Sequence, residues 1–217
     1  MMASRDNIKR SFSASKEDFC RLCRLLHDRH LVSGVGGNVS ARSGSHILLT
    51  PSGCSLGHVE RHMISVVNDE GLLIEGRKAT KEAHMHMGIL RERLDVNVVL
   101  HLHGPYIIAA STMLNPGPSA LPAITPGFVH LAHPLPMLPF LVPGTEALAK
   151  AVAMELSDDG KSAVLLQNHG LITVGKGFED ALNIAEEIDE AAKVFVLTGG
   201  RACPITARDA VKIKSLI

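Results

Sequence analysis

Residues 98–106 read VVLHLHGPY, and the fold turns on how this run is read. Valine and leucine at this density predict a strand over residues 96–103. Side chains alternate along a strand, so His101 and His103 face one way and Leu100 and Leu102 the other. A buried imidazole needs partners, or it costs free energy. Two imidazoles on one face, roughly 7 Å apart along the backbone, can close on one divalent ion. Two core histidines bonded to backbone carbonyls would satisfy the same pattern.

Strands and helices interleave on both sides of that run. Upstream, SKEDFCRLCRLLHDRHLVSG opens with Ser15 and Asp18 at capping spacing, carries Phe19, Leu22, Leu25 and Leu26 at a helical period, and reaches a stop at Gly34. GVGGNVSAR (34–42) is glycine-rich without a helical pattern, HILLTPSG (46–53) is a short strand and turn, and ISVVNDEGLLI (64–74) is a hairpin. Residues 80–93 predict a helix capped by Thr80, and residues 104–114 a helix with Pro105 in its first turn. Eight prolines make 115–143 mostly irregular, with a short strand near 137–141. A helix over 144–156, two strands broken at Asn168–His169–Gly170, a long amphipathic helix over 178–200 and a tail helix from about Thr206 complete the chain. This interleaving predicts one layered α/β or α+β domain over residues 1–217.

Composition excludes several functions. The 22 basic residues balance 22 acidic ones, Trp is absent and Tyr106 is the lone tyrosine, so neither a basic patch nor a stacking platform for nucleic acid is indicated. No apolar run is long enough to span a membrane, and the opening MMASRDNIKRSF lacks the hydrophobic stretch of a secretory signal, which predicts a cytoplasmic protein. Cys20 and Cys23 form a CxxC on a helix with no second pair, whereas a structural zinc site wants four ligands. The twelve histidines are the compositional oddity, and they point toward metal or proton chemistry.

His169 is the natural third partner for His101 and His103, because it breaks an apolar run just before a glycine. Three imidazoles with one open position form a catalytic zinc pattern. In ATKEAHMH, Glu82 and His86 lie one turn apart on one helix face, with Glu82 in the first turn and His84 turned to solvent. GVGGNVS and TPSG offer backbone N–H groups, a carboxamide and hydroxyls to an anion. Neither GxGxxG nor GxxxxGK[ST] occurs.

The order GGNVSAR, LLTPSG, KATKEAHMH, VVLHLHGPY and LLQNHGLITVG, then a long helix, resembles the class II aldolase/adducin family from about residue 15 to 200. The family includes fuculose-phosphate aldolases, ribulose-phosphate 4-epimerases and sugar-acid phosphate decarboxylases. The resemblance implies a three-layer α/β/α fold around a mixed, largely antiparallel sheet. It implies Zn2+ or another divalent metal on His101, His103 and His169, with Glu82 as the catalytic acid/base. It further implies a substrate phosphate held by Gly37, Asn38, Thr50, Ser52, Gly53, Thr80 and Lys81. The expected partner is a small phosphorylated sugar or sugar acid, cleaved by retro-aldol reaction or decarboxylation through an enediolate. The expected assembly is a homotetramer with the site near a subunit boundary. Epimerase and dehydratase chemistry on the same metal site, and a non-catalytic adducin-like module, are the alternatives. Two departures bear on the reaction. TKE at 80–82 replaces the SSE of the family's aldolases and, with SGCSLG at 52–57, is more similar to the 3-oxo-tetronate-4-phosphate decarboxylase branch. Where family aldolases place a tyrosine, ITPGFVH has Gly127 and Phe128, with His130 and His133 as substitutes.

Overall fold

A computed structural model describes residues 12–215. All but one residue of the opening MMASRDNIKRSF lies outside them. Eight strands form one sheet: β1 (Asn38–Ser43), β2 (His46–Leu49), β3 (Ser65–Val67), β4 (Leu73–Glu75), β5 (Val98–Leu102), β6 (Met137–Leu138), β7 (Ala163–Leu166) and β8 (Gly170–Gly175). Their order is β4-β3-β2-β1-β5-β8-β7-β6, antiparallel except for the parallel pair β6–β7. The helices are α1 (Lys16–Asp28), α2 (Ala83–Glu92), α3 (Pro105–Met113), α4 (Pro126–Leu131), α5 (Glu146–Glu155), α6 (Phe178–Leu197) and α7 (Ala207–Ser215). Among the described residues no helix is long and apolar enough to cross a membrane.

Strand alternation sorts the core into layers. Val98, Leu100 and Leu102 of β5 pack with Val39 and Ala41 of β1 against Phe19, Leu22 and Leu26 of α1. Val99 of the same strand, with Val164, Ile172 and Val174, packs the other way, against Met85, Ile89 and Leu90 of α2 and Leu148 and Val152 of α5. A third cluster joins Leu165 and Leu171 to Ile107 of α3, Phe128 of α4 and Ile184 and Ile188 of α6. The result is the expected α/β/α sandwich with a mixed, largely antiparallel sheet. Each large side chain fully buried in these layers contributes about 1.5–3 kcal/mol.

Local chemistry sets the boundaries. Ser15 Oγ accepts from Asp18 N–H at 3.0 Å and donates to the Asp18 carboxylate at 2.7 Å, closing the expected cap on α1. That helix ends at Asp28, short of Gly34, because His30 adopts φ 59° and turns the chain. Helix α2 starts later than expected: Glu82 is its N-cap rather than a first-turn residue. Thr80 Oγ1 accepts from Glu82 N–H at 3.3 Å, so the threonine caps the turn that precedes the helix. Residues 38–43 form a strand where only a glycine-rich segment was expected, and α4 forms inside the proline-rich stretch, with Pro126 at its start.

Candidate metal centre

The expected strand histidines and the turn histidine come together. His101 and His103 leave β5 on the face shared with Val99, which looks toward α2 and α5. The antiparallel register sets Leu102 against Leu171, so the β7–β8 turn carries His169 to the same end of the sheet. That turn is tight: Asn168 has φ 54°, and a Cβ on Gly170 would sit 2.3 Å from the Leu102 carbonyl oxygen. Only glycine lets β8 begin so close to the histidine strand.

The Nε2 atom of His101 lies 2.8 Å from that of His103 and 3.2 Å from that of His169. His101 is fully buried and His169 is 9% exposed. His101 Nδ1 donates to the Leu171 carbonyl at 3.2 Å, which leaves the Nε2 lone pair to ligate. That lone pair faces two other ring nitrogens and, at 3.3 Å, Glu82 Oε2. Four electron-rich atoms converging in a buried space repel one another unless a cation sits between them. The spacing suits one: four-coordinate zinc with Zn–N near 2.0–2.1 Å sets its ligand nitrogens about 3.3 Å apart. Burial, the largest cause, lowers the pKa of His103 to about 3 and of His169 to about 4. Both imidazoles are therefore neutral near pH 7, the form that ligates.

Glu82 approaches from the start of α2. Its Oε2 accepts from Asn38 Nδ2 at 2.8 Å, and Oε1 lies 3.9 Å from His169 Nε2. Oε1 is buried and has no hydrogen-bond partner. Burial disfavours the carboxylate form, and the Asn38 N–H on Oε2 favours it.

The glycine-rich pieces are neighbours in space. Asn38 sits opposite His101 in the β1–β5 register. Thr50 Oγ1 accepts from Val39 N–H, Thr50 N–H donates to the Val39 carbonyl, and Ser52 N–H donates to the Lys78 carbonyl. Thr80 N–H donates to the Thr50 carbonyl. Residues 50–53 therefore run beside 78–81, next to the strand that starts at Asn38. Gly37 is buried with φ 77°, Thr50 and Thr80 are buried, and Ser52, Gly53 (φ 69°) and Lys81 are exposed. Lys81 makes no ion pair among the described residues, whereas Asn38 is already engaged by Glu82.

One polar residue of this region, Ser40, has no place in the sequence analysis above. Ser40 lies one alternation beyond Asn38 on β1, and it pairs with the fully buried His86 of α2. Its signal in the sequence is the polar alternation of Asn38 and Ser40 within the glycine-rich segment. His130, offered as a substitute for the missing tyrosine, lines a cavity of about 580 Å³ with Arg93 and Gly175. That is the far end of β8 from His169 in the same chain.

Comparison with known proteins agrees with this architecture. The chain is 34% identical over 193 residues to the 3-oxo-tetronate 4-phosphate decarboxylase of Haemophilus influenzae, covering 87% of this chain and 90% of that one. It is 33% identical over 177 residues to the L-fuculose phosphate aldolase of Methanococcus maripaludis, covering 82% and 93%. Among solved structures, YgbL from Escherichia coli superposes with a TM-score of 0.85 at 27% identity, covering 92% of this chain and 97% of that one. An L-fuculose 1-phosphate aldolase superposes at 0.81 with 27% identity, covering 94% and 98%. With residues 17–196 matching the family model for the class II aldolase and adducin N-terminal domain, the chain belongs to that family.

Proposed function

We propose that this protein is a metal-dependent lyase that breaks a carbon–carbon bond in a small phosphorylated sugar or sugar acid, by retro-aldol cleavage or decarboxylation. The observation that carries this reading is the unpartnered, buried Oε1 of Glu82, 3.9 Å from His169 Nε2, while Oε2 accepts from Asn38 and lies 3.3 Å from His101 Nε2. A divalent cation on His101, His103 and His169, zinc by the donor set, would supply Lewis-acid stabilisation of the charge that develops beside the broken bond. Glu82 Oε1 adds or removes the proton at the reacting carbon. A carboxylate held by one oxygen keeps the other in a fixed direction.

Backbone N–H groups of Gly37 and Gly53, the hydroxyls of Thr50, Ser52 and Thr80, the remaining Asn38 N–H and the Lys81 ammonium form the proposed phosphate pocket. Support comes from the contiguity of 37–38, 50–53 and 78–81 beside the histidines, and from the phosphate in the names of both relatives. The proposal includes a homotetramer with the site at a subunit boundary. An assay of phosphorylated sugars and 3-oxo sugar acids that monitors carbon dioxide and aldehyde separately tests it. Release of either supports a lyase and tells the two reactions apart. Turnover that conserves every carbon–carbon bond, as in epimerisation, would replace it.

A further inference from the structure

The buried pair Ser40–His86 belongs to neither the histidine cluster nor the proposed phosphate pocket. We infer that His86, held by Ser40, is the positioning residue that fixes the Asn38 carboxamide and thereby decides which oxygen of Glu82 is free. This rests on the lyase reading above and adds the group that orients its acid/base.

His86 is fully buried on α2, one turn after Glu82, and its ring meets β1. Nδ1 lies 2.8 Å from Ser40 Oγ, and Nε2 lies 2.5 Å from Asn38 Oδ1. Asn38 Nδ2 lies 2.8 Å from Glu82 Oε2. A carboxylate only accepts, so the Asn38 amino group must face Glu82, and its carbonyl must face His86. That carbonyl also only accepts, so the proton of the neutral imidazole is on Nε2. Nδ1 is then an acceptor, filled by the Ser40 hydroxyl proton. Each link of Ser40–His86–Asn38–Glu82 pairs one donor with one acceptor, and all of them point toward the carboxylate. The imidazole stays neutral because burial lowers its pKa to about 3.

Without the His86 N–H, the Asn38 carbonyl is a buried acceptor with no partner, and the carboxamide can turn over. Its carbonyl would then face Glu82 Oε2, two like partial charges in contact. The carboxylate would lose its fixed direction, and Oε1 would no longer be the single free oxygen.

The test has a spectroscopic arm and a kinetic arm. In 15N-labelled protein with and without zinc, long-range 1H–15N correlation should assign His86 as the Nε2–H tautomer, with Ser40→Ala moving it toward a mixture. His86→Leu should lower kcat roughly 10–100-fold, the usual range for a group orienting a reacting residue, with KM changed less than about threefold. His86→Gln retains an N–H at a similar reach and should recover most of that loss. Should His86→Leu fail to fold, Ser40→Ala and His86→Gln carry both arms. A His86 Nδ1–H tautomer, or unchanged kcat in a folded His86→Leu variant, would overturn the relay. A wild-type protein inert on every phosphorylated substrate, yet with the Nε2–H tautomer sensitive to Ser40→Ala, would sink the lyase reading and support the relay.

Discussion

Glu82 Oε2 lies 3.3 Å from His101 Nε2, although the two residues come from the start of a helix and the middle of a strand. The carboxylate and the imidazole meet because β5 turns His101 toward the same face that α2 covers. A negative charge beside a bare lone pair is tolerable in a buried site when a cation joins them. That expectation can be measured.

The purified protein should carry about one divalent ion per chain. His101→Ala should lose it, because two remaining imidazoles hold zinc poorly without the third. Elemental analysis after gel filtration decides the matter, and a variant with full metal content would remove His101 from the site.

Glu82→Gln keeps the shape of the side chain and removes its basicity. Turnover should fall about 100-fold or more, the usual share of a positioned proton transfer, while metal content stays near that of the wild type. Near-normal turnover in steady-state assays would leave Glu82 as a helix cap only.

Lys81 is exposed at the mouth of the proposed phosphate pocket. A phosphorylated substrate should react much faster than the free sugar, because remote binding energy positions the reacting centre. Lys81→Ala should narrow that ratio by weakening mainly the phosphorylated compound. Equal kcat/KM for the ester and the free sugar in the wild type would mean that these loops serve another anion.

Gly170→Ala should fold poorly. The added Cβ would sit 2.3 Å from the Leu102 carbonyl oxygen and 2.9 Å from the His103 ring. A backbone atom cannot step aside as a side chain can, so we expect a loss of about 1–3 kcal/mol together with weaker metal retention. Thermal unfolding and metal analysis on one sample would check both, and an unchanged midpoint would contradict the close approach.

Asp189 makes stability depend on pH. Its Oδ1 is buried without a partner, and burial, with Glu186 adding to it and Lys193 opposing, raises the carboxyl pKa to about 6. The folded state therefore binds the proton more tightly than the unfolded state, whose value is near 3.9. Stability from this group is highest below pH 4, falls as pH rises from about 4 to 6 and stays lower above that. Since the side chain is partly exposed, Asp189→Asn should gain about 1–2 kcal/mol at pH 8 and almost nothing at pH 4. Denaturant curves at the two pH values give the comparison, and an equal effect at both would refute the assignment.

Much of this protein was legible in one dimension. The period of two through VVLHLH gave the strand and the common face of His101 and His103, since side-chain direction in a strand is a local property. The cap at Ser15, the proline-started helix at Pro105 and the long stripe of α6 were equally local. Strand β1 was not legible, because Gly36 and Gly37 masked it and its polar residues looked like loop. Those residues, Asn38 and Ser40, are paired only across the sheet and across the layer, with His101 in register and His86 overhead. The start of α2 was misplaced by the same limitation: Thr80 hydrogen-bonds to Thr50, a partner that no local pattern names. The sequence alone determined which residues could bind a cation and which strand would carry them, because composition and alternation are written into neighbouring positions. Tertiary structure alone decided that His169 closes on that strand, that residues 50–53 lie beside 78–81, and which oxygen of Glu82 is free. Each of those depends on hydrogen bonds between residues distant in the chain, and such bonds have directions that only the packed layers define.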